Sequence, residues 1–320
     1  MRDRPRRLGP PAWLHGWLRR WRNSELVYDF RRSPAAIAAA VVGGALLLAA
    51  AGAPWVAPQD PFDLASLELL DAFKPPAWLP DGARHYLLGT DGQGRDVLSV
   101  VLYGTRLSVA IGVAAVLLAI LFGVATGLAA GFAGGAVDAF LMRVADVQLS
   151  FPAILVALLI AGVARDLFPH GGQDVGARIA LPVLVVAIAA ASWPQYARTV
   201  RGSTLVEKNR EYVLAARVIG VSPLRIVLTH VLPNVLGPVY VLATVNVATA
   251  IITEATLSFL GVGVPPTTPS LGTLIRIGND FLLSGEWWIV VFPGAALLAL
   301  ALSINLLGDW LRDALNPRLR

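Results

Sequence analysis

Histidine and cysteine, the side chains most often used to bind transition metals, are scarce in this chain. It contains His15, His85, His170 and His230 and no cysteine. No two histidines are spaced as a pair of zinc ligands on one helix, and no thiolate is available. The sequence therefore predicts no metal site.

Residues suited to nucleotide chemistry or ion coupling are also missing. Lys74 and Lys208 are the only lysines, and neither follows a glycine-rich phosphate-binding loop. Ion-coupled carriers usually place ionisable groups inside apolar segments, whereas Asp146 and Glu254 are expected only at segment boundaries. We therefore expect no catalytic residue and no cofactor bound by this chain. Any energy source must lie in another subunit.

A polar stripe on one long apolar segment is the candidate for contact with a solute. Asn246, Thr249, Thr253 and Thr256 are three or four residues apart, so they share one face of a helix. The stripe either lines an aqueous path or hydrogen-bonds to neighbouring helices, and the sequence leaves both interpretations open.

A second group of polar residues precedes another apolar segment. Gly89, Asp91, Arg95 and Asp96 lie in a glycine-rich stretch that favours a tight turn. Two carboxylates in the stretch argue against a phosphate site. We expect a turn that positions the helix after it.

The segment 211–234 is predicted to begin with a short helix. Glu211 lies at its positive end and Arg217 near its negative end, and Gly220 supplies a left-handed stop. Ala215 and Ala216 have almost no side chain. We therefore expect another protein to approach the backbone of this helix closely.

A second helix is predicted to follow directly. Ser222 is expected to accept a hydrogen bond as N-cap, with Pro223 in the first helical position. Leu224 and Leu228 belong to an apolar stripe that should pack on something before Pro233 interrupts the helix. The two helices together predict a cytoplasmic docking loop.

Composition indicates the elements that must carry these residues. Hydrophobic residues make up 56% of the chain and charged residues 15%, far from a soluble domain's mixture. The apolar runs are continuous, whereas strands of a membrane barrel would alternate. The predicted fold class is an all-α polytopic membrane protein with six transmembrane helices. The predicted spans are 33–59, 107–137, 147–164, 179–197, 231–253 and 287–308.

Basic residues set the predicted orientation. Most of the 26 Lys and Arg residues fall before residue 34, within 198–225 or after residue 309. The positive-inside rule places these segments, and both termini, in the cytoplasm. The net charge of +5 is then explained by topology and contact with membrane lipid, and no nucleic-acid partner is expected. The expected organisation comprises a basic segment 1–32, the span 33–59, an extracytoplasmic loop 60–106, a core 107–308 containing the loop 198–230, and a tail 309–320.

The basic N-terminal segment contains tryptophans at helical spacing. Trp13, Trp17 and Trp21 are four residues apart and lie near Arg19, Arg20 and Arg22, which favours an amphipathic helix on the inner leaflet. A disordered basic tail is the alternative.

Three stretches of the chain resemble signatures of one family. Residues 211–233 resemble the EAA loop of ABC importer permeases, and residues 88–98 and 287–317 resemble signatures of its dipeptide, oligopeptide and nickel branch. Leu271 departs from that branch, which often has tryptophan there. The residues that carry the EAA resemblance are Glu211, Ala215, Ala216, Gly220, Ile226, Leu232 and Pro233.

The resemblance implies an inner-membrane, type I ABC importer permease of the C type, for peptides or a small solute such as nickel. It implies a second permease, normally a distinct paralogue, two ABC ATPase subunits that use ATP and Mg²⁺, and an extracytoplasmic solute-binding protein. The turn at Gly89, Asp91, Arg95 and Asp96 would then contact the binding protein, as the alternative to a purely positional role. The residues expected to couple the chain to the ATPases are Glu211, Ala215, Ala216, Arg217, Gly220, Pro223 and Pro233.

Two other function classes stay open at this point. A self-contained secondary carrier or channel would move solute without partners. A membrane scaffold would recruit partners through its basic loops without moving solute.

Overall fold

The computed structural model describes residues 25–63, 67–167 and 173–314. Within these ranges the chain is helical and contains no strand beyond one isolated bridge between Thr90 and Asp96. The tryptophan-rich segment around residues 13–21 lies outside the described residues. The helices are α1 (Glu25–Arg32), α2 (Pro34–Ala51), α3 (Ala53–Val56), α4 (Val97–Ala133), α5 (Gly135–Leu149), α6 (Ala153–Leu167), α7 (Gln173–Glu207), α8 (Glu211–Val218), α9 (Pro223–Ile226), α10 (Leu232–Phe259), α11 (Leu271–Asn279) and α12 (Trp288–Ala314).

Helices long and apolar enough to cross a bilayer account for most of the described chain. Five qualify by length and hydropathy: α2, α4, the 179–207 part of α7, the continuous helix Pro223–Phe259 and α12. The predicted all-helical membrane fold is thus confirmed. The predicted spans 179–197 and 231–253 lie within these helices, and 287–308 begins one residue before α12. The span 107–137 runs past the end of α4 into α5, and the run 33–59 continues past α2 through α3.

The predicted span 147–164 is the exception, because it is not one straight helix. It crosses the junction of α5 and α6, whose axes differ by 93°. Pro152 lies at this break and cannot donate a backbone hydrogen bond, which favours a bend there. The bent pair supplies a sixth span only if both helices count as one.

The start of α4 differs from the assigned loop boundary. The helix begins at Val97, inside the segment assigned to the extracytoplasmic loop. Asp96 caps it by accepting a hydrogen bond from the Ser99 backbone N–H at 2.8 Å. The polar residues up to Arg106 therefore occupy the first turns of a long helix.

Glycines let α4 and α7 pack backbone to backbone. A Cβ atom at Gly123 would lie 2.4 Å from Tyr196 Cβ, and one at Gly127 would lie 2.5 Å from the Ala197 carbonyl oxygen. Gly131 meets Thr204 in the same way. This ridge of small residues is a helix-packing device, as expected in membranes.

The short helix α11 is an element that the sequence analysis did not predict. It has nine residues, too few to span a bilayer, and lies between α10 and α12. Leu271 is buried in a cluster with Val97 of α4, Ile251 of α10 and Trp288 of α12, and Leu274 is 2% exposed. The helix therefore fills the space between the ends of three long helices.

Candidate functional site

The predicted docking loop is a helical elbow, defined here as residues 211–226. Its first helix, α8, begins at Glu211 and has Arg217 in its last turn, as expected. Gly220 has a φ of +81°, and the Gly220 and Val221 backbone N–H groups donate to the carbonyls of Arg217 and Ala216 at 3.1 and 3.0 Å. The glycine therefore ends the helix in the left-handed conformation that favours glycine.

The second helix of the elbow confirms one expected cap and corrects the other. Pro223 occupies its first turn, as predicted. The Ser222 side chain makes no capping hydrogen bond, and only its carbonyl accepts, from the Ile226 N–H at 3.0 Å. The proposed Ser222 side-chain cap is therefore wrong, because the backbone alone starts this turn.

Pro233 does not interrupt the helix that follows the elbow. A π-helical turn, Val227–Val231, carries α9 directly into α10, and Pro233 lies in the first turn of α10. The Leu232 N–H reaches back five residues to the Val227 carbonyl, so the wider turn accommodates a residue without an N–H. The expected interruption is wrong, and Pro223–Phe259 forms one continuous helix.

The surface of the elbow is apolar. Val218 and Ile219 are 87% and 77% exposed, and Leu214 and Leu224 are also exposed. These four residues are called the elbow patch below. Leu224 and Leu228, from the stripe expected to pack on something, are exposed in this chain, whereas Val231 of the same stripe is buried together with Ile226.

The two alanines of α8 face different ways. Ala215 is exposed, whereas Ala216 is only 5% exposed and packs with Val213 in the main hydrophobic cluster. The expectation that both would face a partner is therefore wrong for Ala216. Its small side chain lets α8 lie close to its own bundle.

Two basic side chains attach the elbow region to the C-terminal end of α4. The Lys208 ammonium donates to the Gly131 carbonyl at 2.7 Å. The Arg217 guanidinium lies over the Phe132 ring, 5.2 Å from its centroid, within the range of cation–π attraction. A movement of the elbow therefore acts on α4 as well as on α10.

The polar stripe on α10 divides into two parts. Asn246 is buried, and its amide donates to the Gln195 side-chain oxygen of α7 at 3.4 Å. The Thr249, Thr253 and Thr256 hydroxyls each donate to the carbonyl four residues earlier, and Thr249 is exposed. Asn246 thus joins two helices, and contact between the threonines and a solute stays a prediction.

The glycine-rich turn at residues 89–96 is a closed structure. The buried Arg95 guanidinium donates to the buried Asp91 carboxylate at 2.7 Å, and Gly89 has a φ of +81°. Asp96 is buried as well, and burial raises its pKa even though Ser99 donates to it. Trp288 of α12 donates its ring N–H to the Thr90 carbonyl at 3.0 Å. These charged side chains hold the turn together and are covered from outside contact.

A polar cluster beside this turn connects two parts of the loop, residues 71–74 and residue 86. Asp71 accepts hydrogen bonds from the Lys74 ammonium and, at 2.6 Å, from the Tyr86 hydroxyl. These donors lower the pKa of Asp71, and the same carboxylate raises the pKa of Tyr86 to about 12, with burial adding to the effect.

Glu254 is the residue that sequence reasoning placed wrongly. It lies inside α10, five residues before the helix ends, and is 0% exposed. Its carboxyl group accepts from the Ser108 and Ser258 hydroxyls, both at 2.7 Å. The spacing of Ser258 four residues after Glu254 was the available signal, but the contact with α4 was not readable from a single segment.

Residues 119–320 match the family described as "Binding-protein-dependent transport system inner membrane component", and residues 19–76 match the "N-terminal TM domain of oligopeptide transport permease C". The chain belongs to this permease family. The family expected from the sequence resemblance is thereby confirmed. The chain is a multi-pass integral membrane permease, and permease subunits of this kind are not themselves enzymes. Membership of a binding-protein-dependent system implies ATPase and solute-binding partners.

Curated relatives cover most of the chain. It is 43% identical over 296 residues to the "Dipeptide transport system permease protein DppC" of Escherichia coli K12, covering 92% of this chain and 93% of the relative. It is 38% identical over 268 residues to the "Di/tripeptide transport system permease protein DppC" of Pseudomonas aeruginosa, covering 84% and 83%.

One solved structure shares the fold at low sequence identity. A chain of the MetNI methionine ABC transporter, in inward-facing conformations, superposes with a TM-score of 0.52 at 20% identity. The match covers 68% of this chain and 96% of that chain. The fold of an ABC importer permease is therefore present here.

Proposed function

We propose that this chain is one of two permease subunits of an ATP-driven importer of short peptides, and that its elbow patch is the contact with an ATPase. The observation that carries the docking role is the exposure of Val218, Ile219, Leu214 and Leu224 together on a short, capped loop. Large apolar side chains grouped on a surface mark a site of protein contact. Gly220 and Pro223 fix the shape of that surface, and Glu211 and Arg217 fix its ends.

The substrate follows from the relatives, two of which are named as dipeptide and di/tripeptide permeases. The complete assembly comprises this chain, a distinct second permease, two ATPases and an extracytoplasmic solute-binding protein. This chain binds no cofactor in our proposal, and ATP and Mg²⁺ act on the ATPase subunits. Closure of the ATPases tilts the helices attached to the elbow, and the threonine side of α10 contacts the solute.

The docking role is tested by removing the apolar surface in the assembled complex. Ile219→Asp combined with Val218→Asp places two charges where the ATPase would bury apolar area, so we expect co-purification of the ATPase to fall at least roughly tenfold. Leu283→Asp is the matched control, because Leu283 is 100% exposed in a turn far along the chain. Equal ATPase recovery in all three proteins would refute the docking role.

The orientation of the elbow is tested by labelling. The chain has no cysteine, so a thiol introduced by Ile219→Cys is unique. A membrane-impermeant maleimide should label it in inside-out vesicles and leave it unlabelled in intact cells. Labelling from the outside would refute the cytoplasmic position and, with it, both termini in the cytoplasm.

A further inference from the structure

The strongest unassigned feature is the buried carboxyl group of Glu254 at the far end of the helix that begins in the elbow. It is 0% exposed, and it takes part in none of the ion pairs found among the described residues. Ionisable groups inside membrane helices are costly and therefore mark functional positions. Glu254 has no contact with the elbow, which lies at the opposite end of the same helix.

Two serines connect this carboxyl group to the segment after α10. Ser108 Oγ of α4 accepts from the Leu271 backbone N–H at 3.2 Å and donates to Glu254 at 2.7 Å. Ser258 Oγ accepts from the Val264 N–H at 3.2 Å and donates to the other carboxyl oxygen at 2.7 Å. Each hydroxyl has one proton, and each directs it to Glu254. We call Glu254, Ser108 and Ser258 the glutamate hub.

The hub holds a segment, 260–279, that is also packed backbone to backbone. A Cβ atom at Gly272 would lie 2.3 Å from the Ala255 carbonyl oxygen of α10. One at Gly278 would lie 2.6 Å from the Ile289 backbone of α12, and one at Gly104 of α4 would lie 3.4 Å from Leu271 N. α11 therefore lies against the backbones of α10 and α12, and its Leu274 side chain, 3.0 Å from the added atom, lies against Gly104 of α4.

We propose that Glu254 is a positioning residue of the transport cycle. Through Ser108 and Ser258 it fixes segment 260–279 to α4 and α10, so that the extracytoplasmic ends of these helices move as one body. This inference rests on the proposed function, in which movement enters at the elbow. Without the hub, a tilt of α10 would be absorbed by a loosened segment 260–279 and would not reach α4 and α12.

The test uses the complete complex in nanodiscs and liposomes with Glu254→Gln. The glutamine amide replaces one acceptor by a donor, so one serine proton loses its partner while side-chain volume is kept. We expect amide protection of Leu271 or Val264 to fall roughly tenfold or more, since the serine hydroxyl that binds that amide loses its own acceptor. Peptide uptake should fall roughly tenfold as well, while basal ATP hydrolysis and ATPase recovery persist. Glu254→Asp, which keeps both acceptors, should restore part of the uptake and protection.

Single serine variants make the test site-specific. Ser108→Ala should expose the Leu271 amide and leave Val264 protected, and Ser258→Ala should do the reverse. Thr126→Val is the control, because its hydroxyl is exposed on α4 and donates only to carbonyls of its own helix. These variants keep the test valid if Glu254→Gln fails to assemble.

Three outcomes would overturn the proposal. Unchanged protection of segment 260–279 would show that the hub does not hold it. Lost uptake with full protection would assign Glu254 a direct contact with solute. Lost protection with normal uptake would show that transport does not need a fixed segment. Failure of the proposed function gives a different result. The wild-type complex would then show no peptide-stimulated ATP hydrolysis, whereas amide protection of segment 260–279 could still be compared between variants.

Discussion

The two ends of the helix Pro223–Phe259 differ in what they expose. At the elbow, large apolar side chains such as Val218 and Ile219 face outward, and caps are made by backbone groups alone. At the other end, Glu254 and two serines are buried, hydrogen-bonded and surrounded by glycine contacts. An apolar surface that the chain leaves uncovered suits a partner's contact, whereas a satisfied polar group inside the bundle gives internal order.

The largest effect is expected from adding a methyl group at the buried end of the helix, where α11 packs against α10. Gly272→Ala would force a methyl group to within 2.3 Å of the Ala255 carbonyl oxygen. The nearest atoms all belong to the Ala255 backbone and cannot rotate away. We therefore expect a destabilisation of about 3 kcal/mol, seen as a lower melting temperature of the detergent-purified complex.

The control for this substitution is Gly202→Ala in α7, where nothing lies within 4 Å of the added atom. It should leave the melting temperature unchanged or slightly higher, because alanine favours helix over glycine. Equal melting temperatures for the two variants would contradict the close packing of α11.

Aspartate substitutions at the two alanines of α8 test which face of the elbow is buried and which is exposed. Ala216→Asp buries a charge beside Val213, so we expect a cost of several kcal/mol, on the order of 3, localised to the elbow. Ala215→Asp adds a charge to an exposed position and should change stability by less than about 0.5 kcal/mol. Hydrogen exchange of residues 211–221 measures both effects.

ATPase recovery supplies the second measurement on the same pair. Both aspartates should lower it, since one unfolds the elbow and the other adds charge next to the elbow patch. If both variants lowered amide protection equally, the assignment of Ala215 to the surface and Ala216 to the core would be wrong.

The smallest effect is expected from pH at the extracytoplasmic loop. The folded pKa of Asp71 is lowered, so its contact with Lys74 and Tyr86 contributes stability above the ordinary carboxyl pKa, about 4, and loses it as the pH falls further. The folded pKa of Tyr86 is raised to about 12, so its contribution is complete below about 10 and is lost as the pH rises toward 12.

The contribution of the Asp71, Lys74 and Tyr86 contact to stability should therefore be constant between about pH 4 and about pH 10. Melting temperatures of the wild-type complex and of Asp71→Asn at pH 3, 4 and 7 measure the acid side. The wild type should lose more stability than the variant between pH 4 and pH 3. A loss of equal size in both proteins would show that other carboxylates control the acid transition.

Local patterns in the sequence predicted local structure well. Gly220, Glu211 and Pro223 fulfil the roles their residue types favour, because each depends on neighbours within one turn. Pro233 behaved differently, because a π-helical turn changed the backbone that it was expected to meet. Ser222 also differed, because its carbonyl group alone starts the turn.

Features that depend on distant contacts were not predicted. The sequence placed Glu254 at a segment boundary, because its hydrogen bond with Ser108, 146 residues earlier, cannot be read from one segment. α11 is short and amphipathic, and its burial is decided by three other helices. Ala215 and Ala216 have the same side chain, so only the direction of α8 against the bundle separates them.

The continuity of helix Pro223–Phe259 across its proline has a geometric consequence. Its 37 residues at about 1.5 Å each give a rod about 55 Å long, against a hydrocarbon thickness of about 30 Å. A rotation of only about 5° about one end displaces the other by about 5 Å, roughly the width of one helical turn. In the proposed mechanism, a small tilt produced by the ATPases at the elbow would therefore displace the far end of this helix by about 5 Å.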